Sequence, residues 1–235
     1  MLNIEKHRVF LLQILKDIYS DIEIASCLGF KGGTAVYLFY KLTRLSVGLD
    51  FNLIDEKKKQ LVFEKTGRII SAYGETREAS QKRRTLFFLL SYEKPGHNLK
   101  VEISTRRFDD HYETRDYLGI PMLVMKKEDM FAHKLAALLD RKTMANRDLY
   151  DILFFLKNRW EVNETLLEQR TGMPGKDYLG RCIERVKEVN NTYILQGLGD
   201  VLDNASKDSM RDTLKRDLLI QLRIFREALS RFCQK

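Results

Sequence analysis

Cysteine is scarce: three in 235 residues, at Cys27, Cys182 and Cys233, with no CxxC pair and no cysteine–histidine cluster. That spacing argues against a disulfide framework or a thiolate zinc site and points to a reducing cytoplasm. No run of about 18 apolar residues occurs, so no segment reads as a transmembrane helix. No internal repeat or low-complexity stretch appears either. The N-terminus carries an early acid, Glu5, and apolar residues at helical spacing, so it reads as a helix of the mature protein and not as a signal peptide. Acids are in deficit, 33 against 41 lysines and arginines, for a net charge of +8. An excess of this sign suggests an anionic partner, though it also serves solubility. Lys82, Arg83, Arg84, Lys100, Arg106, Arg107 and Arg115 all fall between or beside the central strands.

What is present is ordinary for a folded chain, 44% hydrophobic and 31% charged, and 235 residues can bury a substantial core. Apolar residues at helical spacing predict a helix over 4–19. In "FKGGTAVYLFYKL", Gly32 and Gly33 open a short helix from Thr34 to about Leu42. A strand is expected over 47–54, and Asp55 is placed to cap the helix that follows, with Leu61, Val62, Ile69 and Ile70 as its apolar stripe and Gly74 at its end. "RTLFFLLSY" and "NLKVEIST" read as a hairpin joined by the turn in "EKPGH". "LGIPMLVM" is a third extended piece, and from Lys127 onward the pattern is helical, with a break at "TGMPGKD". Strands first and helices after predict a small mixed sheet flanked by helices over 1–125, then an α-helical domain over 126–235.

Three features of the first half belong together. The Gly32-Gly33-Thr34 turn leads into a helix whose N-terminal N–H groups can receive phosphate. Asp50 follows on a strand, where residues two apart share a face, so Ser46, Gly48 and Asp50 point together if the strand starts early enough. Glu102 stands mid-strand between Val101 and Ile103. Singly, these are a common turn and an acid at an exposed strand position. Jointly, carboxylates on neighbouring strands beside a phosphate-binding turn suit phosphoryl or nucleotidyl transfer with two hard cations.

These motifs resemble the DNA-polymerase-β-like nucleotidyltransferases. More narrowly, "FKGGTAVYLFYKLTRLSVGLDFNL" with "KLAALLDRKTMANRDLYDI" is similar to the AbiEii family, the toxin half of toxin–antitoxin, abortive-infection and phage-defence pairs. The resemblance runs from about Phe30 to Phe155. It implies transfer of a nucleoside monophosphate from an NTP with Mg²⁺ or Mn²⁺. The leading acceptor is a tRNA 3′ end, with a protein hydroxyl as the alternative. It also implies a winged-helix antitoxin from a neighbouring gene. Gly32, Gly33, Thr34 and Ser46 would hold the nucleotide; Asp50 and Glu102 would be metal ligands; Lys134 would meet nucleotide phosphates. Asp148 and Asp151 match the last motif, Asp148 as the site acid.

The family's first metal-binding aspartate falls on Gly48. Glycine inside a strand signals a bulge, a close backbone approach or a lost side chain. Three accounts stand: a native glycine in a nucleotide-binding, non-catalytic relative; compensation by another acid such as Asp55, which strand parity opposes; or an inactivating substitution of aspartate. Plainer readings accompany the other residues. Lys134 could lie along an apolar helix face with its head in water. Arg147 could pair with Asp151 or tie its helix to the core, and Asp148 could simply favour a helix start. His133 suggests a satisfied or exposed histidine, Tyr150 a packing residue and Trp160 a filler between helices.

Overall fold

The computed structural model describes residues 3–93, 97–141, 144–198 and 204–232. The turn expected around Pro95-Gly96, and Cys233, lie outside the described residues. Two compact units are present: Met1–Arg107 with His111–Met125, and Phe108–Asp110 with Lys126–Lys235.

The first unit is built on a seven-stranded mixed sheet. Its strands are β1 (Leu28–Lys31), β2 (Gly48–Leu53), β3 (Glu75–Lys82), β4 (Thr85–Glu93), β5 (His97–Ser104), β6 (Tyr112–Tyr117) and β7 (Ile120–Met125). They lie in the order β3-β4-β5-β2-β1-β7-β6. β2 is antiparallel to β1 and parallel to β5, and β1 runs parallel to β7. Alternation puts Leu49, Phe51, Phe88, Val101 and Ile103 on one buried face. Helix α1 (Ile4–Ser20) supplies Leu11, Ile14, Leu15 and Ile18 to this core, and Tyr19 donates its hydroxyl to the carbonyls of Leu28 and Leu123. Phe63 of α3 (Lys59–Ser71) stacks on Phe88, with ring centroids 5.1 Å apart.

The expected hairpin is present as β4 and β5, paired antiparallel. Three strands had no sequence signal. β3 ("ETREASQK") and β6 ("YETRDY") are polar edge strands, and β1 is four residues long. An edge strand is held by main-chain bonds to one neighbour and needs no alternating apolar pattern. Asp55 caps a 3₁₀ turn, Glu56–Lys58, by accepting from the Lys57 amide, and α3 begins only at Lys59. The residues α3 buries are Val62, Thr66 and Ile70, with Leu61 and Ile69 at the margin.

The second unit is helical: α4 (Lys127–Asp140), α5 (Asn146–Lys157), α6 (Glu164–Thr171), α7 (Gly175–Lys187) and α8 (Asn204–Phe232). Phe131 packs against Phe155 and Phe225, with centroids 5.4 and 5.5 Å away. Trp160 stacks on Phe155 at 4.3 Å, a filler between helices, and Tyr150 is buried. Cys182 lies in this core, where burial pushes its thiol pKa up to about 12, so it is held as an inert thiol. Among the described residues no helix is long and apolar enough to cross a membrane.

Candidate functional site

β1 passes directly into α2 (Gly32–Tyr40) with no intervening loop. The helix starts two residues earlier than the sequence pattern suggests, because Gly32, at φ +80°, makes the sharp entry itself. Lys31, at the N-cap, offers no side-chain cap to the first N–H groups. A Cβ on Gly32 would lie 2.6 Å from Asp50 Oδ2, and one on Gly33 would lie 2.9 Å from both Ser46 Oγ and Arg44 Nη2. The two glycines therefore let a carboxylate, a hydroxyl and a buried guanidinium close onto the start of a helix. Thr34 donates its hydroxyl to the Gly48 carbonyl, tying this helix to the first residue of β2. His7 Nε2, 3.1 Å from Val47 O, holds the residue before it. β2 begins at Gly48, so Ser46 reaches the turn from the preceding loop and not from the strand.

Gly48 is neither strained nor bulged. Its φ is not positive, and it pairs in unbroken register, Gly48 opposite Lys100 and Asp50 opposite Glu102. On the other side Asp50 faces Lys31. Opposed residues of adjacent strands point to one side, so Lys31, Asp50, Glu102, Gly48 and Lys100 share the sheet face away from the apolar core. Lys100 Nζ lies 2.9 Å from Glu102 Oε2, and Lys100 Cε lies 3.7 Å from where a Gly48 Cβ would stand. The tightest contact of that Cβ would be the Lys100 carbonyl oxygen at 3.1 Å.

This donor set does not fit a two-cation centre. Gly48 contributes no side-chain oxygen, Glu102 is engaged by an ammonium, and among the described residues no group of three or more acids, histidines or cysteines could hold a metal. Asp55 caps the 3₁₀ turn beyond β2 and does not stand on the strand with Gly48 and Asp50.

In the second unit, Lys134 is not a solvated lysine. Its Nζ lies 2.9 Å from Asp148 Oδ1 and 2.9 Å from Asp151 Oδ2, both from the first two turns of α5. Arg141 Nη1 stands 2.9 Å from Asp148 Oδ2. Burial works against the charged form of Asp148, whose side chain is 3% exposed. The Lys134 and Arg141 charges outweigh it and hold the carboxyl below the usual carboxylate range. Arg147 is exposed, so it does not tie α5 to the core, and Asp151 makes an ion pair with Lys134. His133 is satisfied: Nε2 meets Asp110 at 2.5 Å and Nδ1 meets Arg170 at 2.5 Å.

Two residues of these clusters are not marked as site residues by the sequence pattern, although the signal exists. Lys100 stands two before Glu102 on one strand, hence on its face. Arg141 stands seven after Lys134, on the same side of the helix line. The basic residues divide: Lys82, Arg83, Arg84, Arg106 and Arg107 gather where the β3–β4 turn meets the end of β5, with the Thr105 amide on the Arg84 carbonyl at 3.0 Å. Arg115 sits on β6, at the opposite edge strand, paired with Glu113.

A family model described as "Nucleotidyl transferase AbiEii toxin, Type IV TA system" matches residues 13–231. Among solved structures, a candidate nucleotidyltransferase from H. pylori superposes with a TM-score of 0.63 at 22% identity, covering 99% of this chain and 98% of that one. JHP933 from Helicobacter pylori gives 0.60 at 21% identity, over 99% and 94%. At these identities the likeness is one of fold. Comparison with curated proteins finds no match.

Proposed function

The chain belongs to the AbiEii nucleotidyl transferase toxin family of type IV toxin–antitoxin systems, and on that premise we propose that its first unit binds a nucleoside triphosphate at the Gly32-Gly33-Thr34 turn and that Gly48 holds its transfer activity off. The observation that carries this is the closure of Asp50 and Ser46 onto a glycine-opened helix start. Amide groups at such a start receive phosphate oxygens, and the Ser46 hydroxyl adds one more donor. In the active reaction an acceptor hydroxyl attacks the α-phosphorus, the bond to the β-phosphate oxygen breaks, and pyrophosphate leaves. Asp50 and Glu102 are the acids that serve this step, with cations of the Mg²⁺ or Mn²⁺ kind expected only once position 48 supplies its carboxylate. Lys134, presented by Asp148 and Asp151, is the second unit's phosphate-binding residue by the family's motif. The reaction belongs to the cytoplasm, a tRNA 3′ end is the first acceptor and a protein hydroxyl the second, and a winged-helix antitoxin is the partner.

The test is Gly48→Asp. Backbone geometry admits it, with one close contact to relieve at the Lys100 carbonyl. The variant is expected to consume NTP with Mg²⁺ and to slow growth when expressed, while the parent chain does neither. Labelled NTP offered with total tRNA or total protein assigns the acceptor. A Gly48→Asp protein that is folded, idle with all four NTPs and harmless to cells would sink the catalytic assignment.

A further inference from the structure

We infer that Lys100 is a resident cation of the nucleotide site, so that this chain binds the triphosphate without a divalent metal; this rests on the nucleotide-binding reading above. A site with carboxylates at 48, 50 and 102 repels a polyphosphate until cations neutralise it. Here the face is charged differently. Asp50 and Glu102 stand in register with Lys31 and Lys100 on the flanking positions. Arg44, 3% exposed, adds a guanidinium at Gly33. Two acids against three bases, plus the positive end of α2, leave a face that attracts an anion by its own side chains.

The placement of Lys100 makes it the residue responsible. It lies opposite Gly48 in the parallel pair, and its Cε runs past the empty Cβ position at 3.7 Å. Glu102 fixes the ammonium at 2.9 Å. One carboxylate contact uses one of three N–H donors and leaves others for phosphate oxygens. The loss of an acid at 48 and a lysine running beside the same position act together. The first removes a metal ligand, and the second supplies the positive charge a metal would bring.

The experiment is titration of the full-length chain with ATP, GTP, CTP and UTP, each in Mg²⁺ and in EDTA, by calorimetry. Affinity for the preferred nucleotide is expected to differ by less than about threefold between the two conditions. Lys100→Gln should weaken it at least about tenfold in both, the range of a lost charge-assisted bond, with an unchanged melting temperature, and Lys100→Arg should retain most of it. Gly48→Asp should make binding Mg²⁺-dependent. Binding by the parent chain in Mg²⁺ alone overturns the inference and leaves the nucleotide site standing. An unchanged affinity in Lys100→Gln also overturns it. No binding of any NTP under either condition removes the nucleotide-site reading itself, and this inference with it.

Discussion

Three glycines within 17 residues do three different jobs. Gly32 has a backbone that side chains rarely adopt and a carboxylate where its Cβ would be. Gly33 has only the crowding, from Ser46 and Arg44. Gly48 has ordinary backbone and a marginal contact. Gly32→Ala is therefore expected to cost roughly 1–2 kcal/mol for left-handed backbone alone. It should also displace Asp50, so nucleotide affinity falls with stability, whereas Gly48→Asp loses little stability. Paired urea melts and nucleotide titrations on the two variants check this. Equal destabilisation by both would show that Gly48 is a backbone glycine after all.

At the scale of elements, α4 and α5 are joined through charge. Lys134 spans Asp148 and Asp151, whose side chains are 3% and 0% exposed. Asp148→Asn leaves Lys134 paired with Asp151 and removes its second charged partner, so it should cost about 1.5–3 kcal/mol, the range of a hydrogen bond to a charged group. The pH dependence follows from the depressed carboxyl of Asp148. Its unfolded value is about 3.9, so its contribution is complete above about pH 5 and is lost as pH falls through the lower folded value. Denaturant melts from pH 7 down to 3 should show an acid-side loss that is shallower in Asp148→Asn. Legibility also sorts by element. Helices α1, α4 and α5 and strands β4 and β5 announce themselves by apolar period because each buries a face. β3 and β6 pair along a single edge, where main-chain bonds suffice, and they carry no such mark.

At the scale of the whole molecule, charge is the readable property. The +8 excess is real, but its members divide between the β3–β4 turn with the end of β5, the site face, and the opposite edge at Arg115. If the five residues Lys82, Arg83, Arg84, Arg106 and Arg107 meet an RNA acceptor, log affinity should fall linearly with log salt. The slope for a single strand is about −0.7 per neutralised phosphate, giving roughly −3.5 for the group. Filter binding of total tRNA between low and moderate salt measures it, and a flat response counts against an RNA acceptor. Arg115→Ala should leave the slope unchanged.

The sequence by itself determined the order of strands before helices, the glycine turn, the family, and Gly48 as the residue standing where the family resemblance expects an aspartate. Each of these is carried by residue type and spacing along the chain. Tertiary structure alone decided what surrounds that position. Lys100 and Gly48 are 52 residues apart and become neighbours only because β2 and β5 pair in parallel with Gly48 opposite Lys100. Lys134 reads as an ordinary helix lysine until α5 sets Asp148 and Asp151 against it. Register and helix packing are set by burying apolar faces elsewhere in each unit, so the charges they bring together leave no mark in the local pattern.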